Sequence, residues 1–149
     1  MKILQFRMDI NAPVEKVYAT MIDEASFIEW ISVFSPNFSY KGSWEKGKTI
    51  TYISPDKNGS LNGMISRIEE NIPNELIHIQ PIGILEDGIE HLEGEKVEGL
   101  EEFYEKYTFS SKDGATEVMI ETAVYEELED YFGEMWPRAL AKLKAICEG

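Results

Sequence analysis

The sequence predicts an α+β fold in which a curved antiparallel sheet wraps around one long C-terminal helix, with two short helices after the first strand. Three observations predict it. Between residues 38 and 124, apolar residues recur with period two in short segments. Tight-turn residues separate those segments, so neighbouring strands run antiparallel. Over residues 128–147 the spacing changes to three and four, the mark of an amphipathic helix.

Each element has its own signal. In residues 3–10, Leu4, Phe6, Met8 and Ile10 alternate with Gln5, Arg7 and Asp9, which describes a half-buried strand. Pro13 suits a first helical position, where its missing N–H has no partner to lose, and Val14, Val17, Tyr18 and Met21 follow at helical spacing. A second short helix over residues 25–31 carries Phe27 and Trp30. Strands are expected at 38–42, 48–54, 61–70, 75–82, 102–111 and 116–124, with reversals at 44–47, Asn58-Gly59, Pro73-Asn74 and Asp113-Gly114. No linker or repeat divides the chain, so residues 1–149 read as one domain.

Turn lengths fix register. A two-residue loop at Asp113-Gly114 sets Phe109 against Val118, Tyr107 against Ile120 and Phe103 against Val124 on one face, and Lys106 against Glu121 on the other. A two-residue loop at Pro73-Asn74 sets Ile68 against Ile79 and Ser66 against Pro81, with Glu69 opposite His78 on the reverse face. In the last helix, Leu128, Phe132, Met135, Trp136, Ala139, Leu140, Leu143 and Ile146 form the apolar stripe. Pro137 lies inside it and would crowd the carbonyl of Gly133, so a kink or break is expected there.

Charge narrows the function. The formal net charge is −14, and it is uneven: residues 1–74 are net −1 and residues 75–149 net −13. Such a field repels nucleic acid and anionic membrane surfaces, so neither is an expected partner. The longest uncharged stretch is the 11 residues 30–40, too short and too polar to span a bilayer. Arg7 and Asp9 interrupt any signal-peptide core, and Cys147 is the only cysteine, so a reducing cytoplasm is the expected location.

One curved sheet facing one long helix is a helix-grip arrangement, and particular segments carry a family resemblance. INAPVEKVYATMID, FIEWISVFS and WEKGKTITYIS resemble the opening of the START-like (SRPBCC) superfamily. ISRIEENIPNELI and YFGEMWPRALAKLKAI resemble the central hairpin and closing helix of its branch named for the activator of the heat-shock-ninety ATPase. The resemblance spans nearly the whole chain. It implies a deep apolar cavity between sheet and helix, and a role in carrying hydrophobic small molecules, in cyclase-type chemistry or in binding a protein partner. Fold alone does not choose among these.

No catalytic signature decides the matter. GxSxG, GxGxxG, HExxH and a P-loop are all missing, and His78, His91 and Cys147 offer no zinc set, so no cofactor or metal is expected. Cys147 falls on the buried stripe as an apolar filler. His78 falls on the outer face beside Arg67 and Glu69, as a partly exposed, ion-paired histidine. Glu105 is the exception: it alternates with Phe103, Tyr107 and Phe109 on the inward face, opposite Thr122, where a carboxyl group must pair, take up a proton or meet water. The segment EKYTF also resembles the branch's E-x-Y stretch. The expected ligand-binding residues are Phe6, Trp30, Phe34, Tyr52, Phe103, Glu105, Tyr107, Phe132 and Trp136, with residues 83–101 as a connection able to cover the cavity mouth. The expected function is binding of a small hydrophobic molecule without conversion, by a monomer or weak dimer. The alternatives are a cyclase- or hydrolase-type enzyme using Glu105 as acid or base, or an interaction module resembling the co-chaperone domain.

Overall fold

A computed structural model describes residues 1–149. The strands are β1 (Lys2–Ile10), β2 (Ser39–Gly42), β3 (Thr49–Pro55), β4 (Leu61–Ile72), β5 (Leu76–Glu86), β6 (Ile89–His91), β7 (Glu105–Lys112) and β8 (Ala115–Val124). They form one curved antiparallel sheet in the order β1-β8-β7-β5-β4-β3-β2, with β6 added on β5 off this path. Helices α1 (Val14–Ile22) and α2 (Glu24–Ile31) follow β1, and α3 (Glu129–Glu148) closes the chain. Most neighbours are joined by local turns. The pairing of β1 with β8 brings the chain ends together, while α1 and α2 carry the chain from the β1 edge to the β2 edge.

Alternation decides which side chains enter the core. Ile10, Ile50, Ile68, Ile77, Ile79, Tyr107, Phe109, Val118 and Ile120 of the sheet pack with Val17, Met21, Phe27, Trp30 and Ile31 of the short helices. Trp136, Ala139, Leu140, Leu143 and Cys147 of α3 complete the cluster. Each fully buried aliphatic or aromatic side chain here contributes about 1.5–3 kcal/mol. At the corner where β1 meets α1, the Glu148 carboxylate accepts the Asn11 backbone N–H at 2.8 Å and the Lys144 ammonium reaches the Asp9 carbonyl at 3.0 Å, which ties the end of α3 to the sheet.

The Asp113-Gly114 hairpin has the expected register. Both loop residues take positive φ, 51° and 84°, and Lys112 pairs with Ala115. Lys106 lies opposite Glu121 on the outer face, where Glu121 accepts the Gln5 amide at 2.9 Å and the Tyr104 hydroxyl at 2.8 Å. The Phe103–Val124 pair does not form, because β7 begins at Glu105 after a 3-10 turn over Leu100–Glu102. Val124 pairs with Lys2 instead, and Phe103 meets Tyr125 edge to face at 4.8 Å.

The other hairpin departs from expectation twice and the departures cancel. Pro73 and Asn74 form the centre of a turn closed by the Glu75 N–H donating to the Ile72 carbonyl at 2.9 Å, with Asn74 at φ 67°, so the loop holds three residues and Ile72 pairs with Leu76. A bulge at Glu69 then restores Ile68 to Ile79 and Ser66 to Pro81. Glu70, not Glu69, faces His78. Glu69 pairs with Arg67 and Glu70 with Lys46, so His78 has no ion-pair partner; burial and the Lys106 charge hold its pKa below the usual histidine range.

Of the kink or break expected at Pro137, the break is not present: α3 runs as one element through Pro137. Both Pro137 and Gly133 lie on the exposed face. There the Gly133 carbonyl can turn to water, while Trp136, Ala139 and Leu140 hold the helix on the sheet.

Candidate functional site

Helix α3 is buried along only part of its length. Its buried residues run from Trp136 to Cys147, and its first two turns bury none. The sheet beneath those turns carries small inward side chains, among them Ser54, Ser66 and Pro81, where a packed core would place large ones. The shortfall leaves a cavity of about 600 Å³ between the sheet and α3, within the range of about 300–1,000 Å³ usual for small-molecule sites. Of its 26 lining residues 19 are hydrophobic, so it suits a mostly apolar occupant.

Seven of the residues expected from the sequence surround this cavity: Phe34, Tyr52, Phe103, Glu105, Tyr107, Phe132 and Trp136. Phe6 and Trp30 do not. Phe6 stands behind Trp136, with ring centroids 6.5 Å apart, and Trp30 is fully buried with its indole N–H donating to the Met21 carbonyl at 3.1 Å. Both support the wall from outside it. The alternation of β1 and the spacing of α2 identify inward residues, but not whether a second layer lies in front of them.

Other lining residues were not among the ligand-binding residues expected from the sequence: Phe27, Ile31 and Phe38 on the α2 side, Met64, Ile79 and Ile84 on the sheet, and Tyr131 at the start of α3. The readable signal was the set of small residues at inward positions, Ser54 two residues from Tyr52 and Ser66 opposite Pro81. Residues 83–101 contribute Ile84, Lys96, Glu98 and Leu100 to the lining, so this connection does border the cavity. Its first part is a hairpin of β5 and β6 around Asp87-Gly88, whose φ values are 50° and 78°.

The polar groups within the cavity are few. Glu105, first residue of β7, lies between Ile79 of β5 and Thr122 of β8. Its carboxyl group accepts the Tyr107 hydroxyl at 2.7 Å. Burial pushes the Glu105 pKa above the usual carboxylate range, and the Tyr107 bond offsets that only in part. Burial, and then the nearby Glu105 charge, push the Tyr107 and Tyr52 hydroxyls well above the usual tyrosine range. The Tyr52 hydroxyl and the Trp136 indole N–H are buried without a partner among the protein's own groups. Nearer the surface, the Ser35 and Ser54 hydroxyls are 2.8 Å apart. The one cation in the lining, Lys96, is exposed and paired with Glu86.

A curved antiparallel sheet gripping a long helix, with an apolar cavity held between them, defines a helix-grip protein. The chain belongs to the family described as Activator of Hsp90 ATPase homolog 1-like protein, whose model matches residues 11–148. Its fold is similar to that of the Aha1 dimer from Colwellia psychrerythraea, at 19% identity over 99% of this chain and 97% of the other, with a TM-score of 0.71. It is similar also to protein NE0264 from Nitrosomonas europaea (12% identity, 96% and 92% coverage, TM-score 0.72). A third similar structure is CalU16 from Micromonospora echinospora (17% identity, 95% and 73% coverage, TM-score 0.62). At such identities the likeness is one of fold. No curated protein matches the chain.

Proposed function

We propose that this single-domain protein binds one small, largely apolar molecule in the cavity between its sheet and α3, and releases it unchanged. The observation that carries this reading is the cavity itself: about 600 Å³ of mostly apolar space, with buried polar groups confined to a few positions. A core could have been packed there with larger side chains at Ser54 and Ser66, and unfilled space of this size lowers stability. The lining holds no histidine or cysteine, and its serines lack the adjacent base a nucleophile needs. A buried, unpaired cysteine and an acidic surface fit a cytoplasmic location, and the dimer of the similar Colwellia protein fits a monomer or weak dimer.

Native mass spectrometry of the protein as expressed tests this reading. The expected result is a mass excess of one small molecule per chain, released by organic solvent. A bare chain mass, together with no saturable uptake of the neutral dye Nile red, would contradict it. Glu105 favours a second reading, because a carboxyl group with raised pKa beside a tyrosine is suited to acid catalysis of the cyclase or hydrolase type. Substrate turnover lost in Glu105→Gln would favour that reading over the first.

A further inference from the structure

We propose that the molecule in the cavity carries a neutral hydroxyl group, as a phenol or an alcohol on an apolar skeleton, recognised by Glu105, Tyr52 and Trp136. This inference rests on the binding reading above. It starts from the hydrogen-bond inventory of the cavity. Tyr107 is spoken for, since its hydroxyl donates to Glu105. Among the deeply buried groups, capacity is left over at the remaining oxygen of the Glu105 carboxyl group, the Tyr52 hydroxyl and the Trp136 indole N–H. Trp136 is only 2% exposed, so its N–H is not satisfied by bulk solvent. Buried donors left without acceptors are destabilising, so an occupant that supplies partners is favoured over one that does not.

The leftover set is mixed, and that selects the ligand group. A hydroxyl donates one hydrogen bond and accepts two, so it can give its proton to Glu105 while taking a bond from Tyr52 or Trp136. It also pairs with Glu105 in either protonation state, by donating to the carboxylate or accepting from the carboxylic acid. A ketone or ester only accepts, and gives an ionised Glu105 no donor beyond Tyr107. An ammonium group only donates, so it can pair with Glu105 and the Tyr52 oxygen but leaves the Trp136 N–H without an acceptor. A carboxylate meets the Glu105 charge with no cation beside it, because the single cation of the lining is already paired with Glu86. The three recognising residues line the same cavity. Glu105 acts electrostatically on both Tyr52 and Tyr107, and the Tyr107 ring lies 6.1 Å from that of Trp136.

A matched set of probes on one skeleton tests the assignment: 4-phenylphenol, biphenyl, biphenyl-4-carboxylate and 4-phenylbenzylamine, each titrated at neutral pH by displacement of Nile red. The phenol should bind about tenfold more tightly than biphenyl and at least tenfold more tightly than the carboxylate or the amine. Tyr52→Phe should remove most of the phenol's advantage while leaving biphenyl within twofold, and its melting curve shows whether the fold is intact. Glu105→Gln should retain phenol binding, because an amide both donates and accepts, and should raise the affinity for the carboxylate about tenfold. Equal binding of phenol and biphenyl would overturn the proposal and leave the binding reading standing. Tightest binding of the amine would overturn it in favour of a cationic ligand. Tightest binding of the carboxylate, lost in Lys96→Ala, would overturn it by placing the polar group at the mouth. Displacement of Nile red by none of the four would overturn the proposal and leave the binding reading standing, whereas no saturable uptake of Nile red itself would overturn both.

Discussion

Glu105 and Tyr107 depend on each other, because the carboxyl group's hydrogen-bonded protein partner is the hydroxyl two residues along the same strand. Removing the carboxyl group alone relieves a desolvation cost but strands a buried tyrosine hydroxyl. Glu105→Leu is therefore expected to gain little stability or to lose some. The double substitution Glu105→Leu/Tyr107→Phe should be more stable than Glu105→Leu by about 1–3 kcal/mol in denaturant titrations. The same carboxyl group sets a pH dependence. Its pKa is raised in the folded protein, so the folded state binds the proton more tightly than the unfolded chain. That contribution is fully present below the ordinary glutamate range and is lost as pH rises through the folded value. Wild type and Glu105→Gln should thus be similarly stable in acid and separate above the ordinary glutamate range, with Glu105→Gln the more stable. Thermal melts of both across pH check the sign.

Glycines at two elements make opposite predictions. Gly133 sits on the exposed face of α3, where an added Cβ would meet nothing within 4 Å. Gly133→Ala should stabilise the protein by roughly 1 kcal/mol through helix propensity, read from its melting temperature. In β4, a Cβ on Gly63 would fall 1.7 Å from the Tyr52 carbonyl oxygen. Gly63→Ala should destabilise by about 1–3 kcal/mol and disturb the strand that positions Tyr52 in the cavity wall. The elements themselves were largely legible from alternation and spacing, because the pattern from Leu4 to Ile10 and that from Trp136 to Cys147 each bury one face. What escaped were local departures that leave those patterns intact. The bulge at Glu69 compensates a longer turn, so Ile68 still meets Ile79. The β6 hairpin had a readable Asp87-Gly88 turn, but it lies in an acidic segment lacking strong alternation. The cavity was legible only as a set of inward aromatics. Which of them face it depends on layering, and this is why Phe6 and Trp30 fell behind the wall rather than on it.

Across the whole molecule, charge works against compactness. The net charge of −14 is concentrated in residues 75–149, and the surface ion pairs are mostly exposed, so each contributes little. Added salt should relieve the repulsion more than it weakens those pairs. The melting temperature is expected to rise between about 0.01 M and 0.15 M sodium chloride, as the screening length falls from about 30 Å to about 8 Å. The central claim is that the space between sheet and α3 is a binding site. Isoleucine methyl NMR during titration with 4-phenylphenol tests it most directly. Ile31, Ile79 and Ile84 line the cavity, whereas Ile3, Ile10 and Ile72 do not. Binding in the cavity predicts saturable shifts at the first three with the others nearly still, and shifts confined to Ile3 or Ile72, or none that saturate, would contradict it.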